Sequence, residues 1–146
     1  MSTIEFHVRP SVVLPDHRPL YKITQILLVL SLASHGKKSS LVRLQLFNWV
    51  LKDEKRRQRL IRASQDARIY FPAWGLDPTV DTALALAKAD ELIDETTTGV
   101  KLSLLGQDYC ASVIKEGLFA EDREFLRQIG NSISEGMVAD IVKRWG

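Results

Sequence analysis

Cysteine is nearly missing from this chain: Cys110 is the only one in 146 residues. A single thiol excludes an internal disulfide, and with it the disulfide-stapled class of small extracellular domains. It falls on an expected helix beside Tyr109, Val113 and Ile114, where a buried structural thiol is the simpler reading than a nucleophile. Histidine is scarce too. His7, His17 and His35 lack a second ligand at metal spacing, so neither a metal nor another cofactor is expected. There is no glycine-rich phosphate loop and no Gly-x-Ser-x-Gly elbow, which removes the P-loop and serine-hydrolase classes. Arg9 and His17 are the nearest Arg-before-His pair, too far apart for the active site of helical ribonucleases. Long apolar runs are missing as well, and the stretch Ile26 to Leu32 is too short to span a bilayer. The opening residues MSTIEFHVRP have neither the basic nor the apolar region of a secretory signal. A cytoplasmic protein with no membrane association is expected.

Apolar residues make up 45% of the chain and charged residues 26%, enough of each for one globular domain with its own core. The net charge of +2 hides an asymmetry. Residues 1–75 carry 13 Lys and Arg against 5 Asp and Glu, and residues 76–146 carry 7 against 13. A basic surface for an acidic partner and a separate acidic surface follow, unless the two halves fold together and mix their charges.

Residues 1–19 contain Pro10, Pro15 and Pro19, which argue against a helix. Ile4, Phe6 and Val8 alternate with Glu5 and His7, as in an extended arm that packs on the domain or docks on a partner. Residues 20–146 then read as a single domain. The first helix, about 20–34, is apolar on nearly all sides and belongs at the centre of a core. His35-Gly36 ends it, with Gly36 suited to a left-handed C-terminal position. Lys37 to Ser40 reads as a short polar link. A second helix, about 41–52, has Leu44, Phe47, Val50 and Leu51 as its core stripe, widened by Leu41 and Leu46. The stretch 53–68 is dominated by Lys55, Arg56, Arg57, Arg59, Arg62 and Arg68 and reads as an exposed edge helix. Tyr70, Phe71 and Trp74 anchor the loop that follows. Three further helices are expected at about 105–116, 121–128 and 135–144. The last carries Met137, Val138, Ile141, Val142 and Trp145 as its stripe.

Residues 77–106 form the most informative unit, DPTVDTALALAKADELIDETTTGVKLSLLG. Asp77-Pro78 suits an N-cap followed by the first helical position. Val80, Ala83, Leu84 and Ala87 repeat at helical spacing. Leu92-Ile93 starts a short strand, Thr97-Thr98-Gly99 supplies a turn with Gly99 free to take positive φ, and Val100, Leu102 and Leu104 alternate with polar residues. Helix, hairpin and next helix in that order predict a mainly α fold with a small β-hairpin. The expected form is a winged helix-turn-helix, with an inserted basic helix and extra C-terminal helices.

Several segments resemble one bacterial family. They are SSLVRLQLFNWVLK in the second helix, Trp74-Gly75-Leu76-Asp77-Pro78 followed by ALALAKADELID, Leu102-Ser103-Leu104-Leu105-Gly106 at the close of the hairpin, and Ile133-Ser134-Glu135-Gly136-Met137-Val138 before the last helix. In order and spacing they resemble the middle component of ABC-three-component systems, which are related to Lamassu-type antiviral and anti-plasmid defence. The resemblance covers residues 20–145. It implies a small non-catalytic subunit that bridges an SMC-like (Rad50-like) ABC ATPase and an effector, often a nuclease. Family members commonly carry glycine after the acidic residue that ends the third helix. Glu91 stands in that place, which implies that the helix end is closed another way.

A conventional DNA reader needs a basic recognition helix and wing, because phosphate contacts dominate affinity. Here Asp77, Asp81, Asp90, Glu91, Asp94 and Glu95 stand against Lys88 and Lys101. A stand-alone winged-helix regulator is therefore the weaker alternative. The candidates for contact with double-stranded DNA, non-specifically, or with an acidic partner are Lys37, Lys38, Arg43, Lys52, Lys55, Arg56, Arg57, Arg59 and Arg62. Candidates for a protein interface are Ile4, Phe6, Val8, Trp49 and Trp145, with core burial the competing reading of both tryptophans. No catalytic residue is expected. Asp53-Glu54-Lys55 superficially resembles a nuclease carboxylate pair, but at a helix start it reads as solvated charge.

Overall fold

The computed structural model describes residues 19–69, 71 and 74–144. Ile4, Phe6, Val8, Tyr70 and Trp145 lie outside the described residues. The described chain is mainly helical, with a small three-stranded antiparallel sheet. It begins with α1 (Pro19–Leu32), a 3-10 turn (His35–Lys37), β1 (Lys38–Ser40), α2 (Leu41–Leu51) and α3 (Glu54–Asp66). It continues with α4 (Pro78–Ala89), β2 (Ile93–Glu95), β3 (Gly99–Leu102), α5 (Leu104–Lys115), α6 (Ala120–Ile129) and α7 (Glu135–Lys143).

The axis of the core is α1, in which every residue from Lys22 to Leu30 is buried. Its apolar circumference lets it pack at once against α2, α4, α5, α6 and β3, as expected of a helix without a polar face. The polar members of that run are satisfied internally, as buried polar groups must be. The Lys22 ammonium donates to Asn48 Oδ1 at 2.5 Å. Thr24 shares a 2.7 Å hydrogen bond with the Tyr109 hydroxyl, and Gln25 donates to Asp122 at 3.0 Å.

One expected loop is a strand. Lys38–Ser40 pairs antiparallel with β3, Lys38 opposite Lys101 and Ser40 opposite Gly99. On its other side β3 pairs with β2, Ile93 opposite Leu102, so the order is β1-β3-β2. This crossover also corrects the reading of Gly99, which is not among the positive-φ glycines. A Cβ there would lie 2.0 Å from the Ser39 carbonyl oxygen. Glycine is needed for the approach of β1, and the turn is closed instead by Thr96 N–H donating to Gly99 O at 2.9 Å.

The helix ends follow local chemistry. Ser40, Asp77, Ser103 and Ser134 cap α2, α4, α5 and α7 by accepting from backbone N–H groups of the first turn, a standard saturation of orphan donors. Leu41, expected to widen the core stripe of α2, is 45% exposed because it is the first residue of that helix. The end of α4 closes in the glycine-type geometry after all. Glu91 takes the left-handed conformation itself, at φ 62°. Its N–H donates to Lys88 O and that of Leu92 to Ala87 O, the paired bonds of a Schellman end.

Candidate interaction surfaces

Sequence reasoning groups nine cations into one basic surface; the folded chain divides them. Arg43 is the clear correction, being 3% exposed. Its Nε donates to Ile133 O at 2.8 Å, Nη1 to Ser34 Oγ at 2.8 Å, and Nη2 to Ala33 O. The guanidinium ties α2 to the end of α1 and to the segment before α7, and burial lowers its pKa to about 10. Arg57 also faces inward, donating to Leu51 O at 2.6 Å and lying 3.6 Å from Asp122. Lys52 is 2.8 Å from Asp77. The outward cations of α3 are Lys55, Arg59 and Arg62, with Arg56 half-buried beside them. Lys37 ends the 3-10 turn and Lys38 begins β1, where Lys38 faces Lys101 across the strands and Lys101 faces Asp94 on its other side.

Trp49 is half-buried and packs on the core, where it organises the basic helix. Its ring meets Phe71 edge-on, with centroids 5.1 Å apart. The Arg56 guanidinium sits 4.0 Å over Trp49 and the Arg59 guanidinium 4.7 Å over Phe71. Arg56 also donates to Trp49 O at 3.0 Å. Cation–aromatic stacking of this kind contributes about 0.5–1 kcal/mol at exposed sites. It holds the guanidinium groups of two α3 arginines over the aromatic rings. The sequence signal was available in the pairing of Trp49 with Arg56, one helix later, and of Phe71 with the arginine run.

The opposite character belongs to α4 and the β2–β3 hairpin. Asp81, Glu91, Asp94 and Glu95 are exposed there, with Lys88 and Lys101 as the accompanying cations. Lys88 is spent on a salt bridge with Glu95, both side chains being more than half exposed, so the remaining face is acidic. Asp77, counted with that face from sequence, is withdrawn from it. Its carboxylate accepts from Lys52, from Asn48 at 3.2 Å and from Thr79, and its backbone exchanges two hydrogen bonds with the Gln45 amide. Burial opposes its charge, but the bonds from Lys52, Thr79 and Asn48 outweigh it and hold the carboxyl well below the usual range.

Among the described residues, Cys110, Asp53 and Glu54 are not brought together. Cys110 is 2% exposed, and burial pushes its thiol up to about 12, far from the thiolate that a nucleophile requires. Glu54 is engaged by Arg57 and Gln58, and Asp53 stands at the N-cap of α3. Among the described residues, no three His, Cys, Asp or Glu side chains are grouped to hold a metal ion, and no helix is long and apolar enough to cross a membrane. No protein-family model matches the chain, and comparison with curated proteins and with solved structures finds no match to either.

Proposed function

We propose that this chain is a winged-helix assembly subunit without catalytic activity. In this reading α1, α2 and α4 are the three helices of the winged fold, β1 its first strand and the β2–β3 hairpin its wing. The inserted α3 and the trailing α5–α7 are additions. The order of elements and the β1-β3-β2 sheet support the assignment. The acidity of α4 and its hairpin carries the functional half. A helix that entered a DNA groove there would set carboxylates against phosphates. The resemblance of residues 20–145 to the middle component of ABC-three-component systems supplies the setting. The subunit would act in the cytoplasm, bridge an SMC-like ABC ATPase and an effector nuclease in antiviral or anti-plasmid defence, and touch DNA non-specifically through α3.

The test is recovery of the tagged protein from its host at moderate salt, with bound proteins identified. A coiled-coil ABC ATPase and a second subunit are expected. Recovery of the chain alone, together with specific retardation of a duplex from its own promoter, would establish the stand-alone regulator instead. For the assembled complex, Lys55→Glu with Arg59→Glu and Arg62→Glu is expected to weaken duplex binding and flatten its salt dependence by roughly one phosphate contact per residue. Unchanged binding would remove DNA contact from α3.

A further inference from the structure

A cleft of about 600 Å³ opens between α4 and the hairpin. Its floor is apolar: Leu84, Ile93 and Val100 are buried side chains of the core that reach its inner wall. Leu41, an exposed leucine, stands at its lip. The rim is polar, with Asp81 and Lys88 on the helix side and Glu95 and the turn residues Thr96, Thr97 and Thr98 on the hairpin side. Glu91, Asp94 and Lys101 are exposed on the same helix-and-hairpin unit, outside the lining of the cleft. Lys88 is the rim's cation, already engaged by Glu95 in a pair whose side chains are 54% and 65% exposed. Such an exposed pair is weak enough to rearrange when another cation arrives.

An apolar floor inside a polar rim with more acid than base favours one kind of occupant. We infer that this cleft docks a basic amphipathic segment of another protein, which inserts aliphatic side chains toward Leu84, Ile93 and Val100 and sets lysines or arginines against Asp81 and Glu95. Charge complementarity favours this occupant, because the rim's carboxylates, Asp81 and Glu95, outnumber its cation Lys88, and a basic segment can take Glu95 over from that exposed pair. Aliphatic anchors in a groove supply affinity, and the flanking charges supply orientation and partner choice. The inference deepens the assembly reading by naming the docking face and the chemistry of the partner, and it rests on that reading for the partner's identity alone.

The experiment titrates the full chain with a helical peptide that carries leucine on one face and lysine on the other, following backbone amide shifts. A counterpart with glutamate in place of lysine and a short DNA duplex serve as comparisons. Shifts centred on Asp81, Ala85, Glu95 and Val100 are expected with the lysine peptide alone. Asp81→Asn with Glu95→Gln is expected to weaken it about tenfold. Ala85→Trp, which fills the cleft without changing charge, is expected to do the same while amides elsewhere stay in place. The inference is overturned if the lysine peptide shifts other amides or none, if the glutamate peptide or the duplex binds the same cleft, or if both variants bind as the parent does. Host recovery of an ATPase beside a silent cleft would sink the docking face and leave the assembly reading standing. A responsive cleft in a chain recovered alone would do the reverse.

Discussion

Arg43 and Glu91 are among the described residues that sit where their type is not expected, and each has a local reason. Arg43 lies four positions before Phe47 in α2, and its guanidinium rests 4.8 Å from that ring. A charge count along the sequence assigns it to the surface. What decides its place is the set of carbonyl groups at Ala33 and Ile133 that need donors, which no count of charges reveals. Glu91 is the second. Left-handed backbone costs a residue with a Cβ about 1–2 kcal/mol, and the helix end imposes it regardless. Glu91→Gly is therefore expected to raise stability by about 1 kcal/mol, read as an increase of about 3 °C in Tm. A fall in Tm would mean that the Glu91 side chain makes a stabilising contribution larger than the strain.

Helices were readable because their periodicity is local, and α1 to α7 fall within a few residues of the expected bounds. β1 was not. Three residues, Lys38-Ser39-Ser40, carry no alternation, and the strand exists only because β3 offers an edge and Gly99 lets the backbones close. The Leu102-to-Gly106 motif has a similar long-range basis. A Cβ at Gly106 would lie 2.2 Å from Leu92 O and 2.6 Å from Leu102 Cδ1, so α5 starts against the base of β2. Helix propensity alone would favour alanine there by about 1 kcal/mol. The clash reverses the sign, and Gly106→Ala is expected to lose about 2 kcal/mol in urea unfolding. A gain in stability would show that α5 can step away from the sheet at little cost.

The two charge-biased halves of the chain are not separate bodies. Lys22 and Lys52 meet Asp77, Arg57 meets Asp122, and Ser40 donates to Glu135 from both its N–H and its hydroxyl. The surviving asymmetry is a basic α3 and an acidic α4 with its hairpin, which is why the candidate surfaces could be named from sequence only in outline. These cross-links have opposite pH linkages. Asp122 is raised by burial against the help of Gln25 and Arg57, so its contribution is lost as pH rises through its folded pKa. Asp77 is depressed. Its contribution is complete above the unfolded value of about 3.9 and is lost as pH falls through the folded one. Asp77→Asn is expected to cost about 1.5 kcal/mol at neutral pH, the scale of one hydrogen bond to a charged group. That difference from the parent is expected to shrink below about pH 4. A difference independent of pH would assign the loss to capping geometry.

The burial of α1 has a consequence for synthesis. Its uninterrupted run from Lys22 to Leu30 is covered by α4, α5 and α6, all of which leave the ribosome later. At typical elongation rates the last of these follows on the order of ten seconds after α1. For that interval the most apolar segment of the chain is exposed, with neither its final cover nor the closing strand of the sheet. A nascent chain built this way is expected to engage ribosome-associated chaperones, and its soluble yield is expected to fall in cells that lack them; an unchanged yield would show that α1 finds early cover.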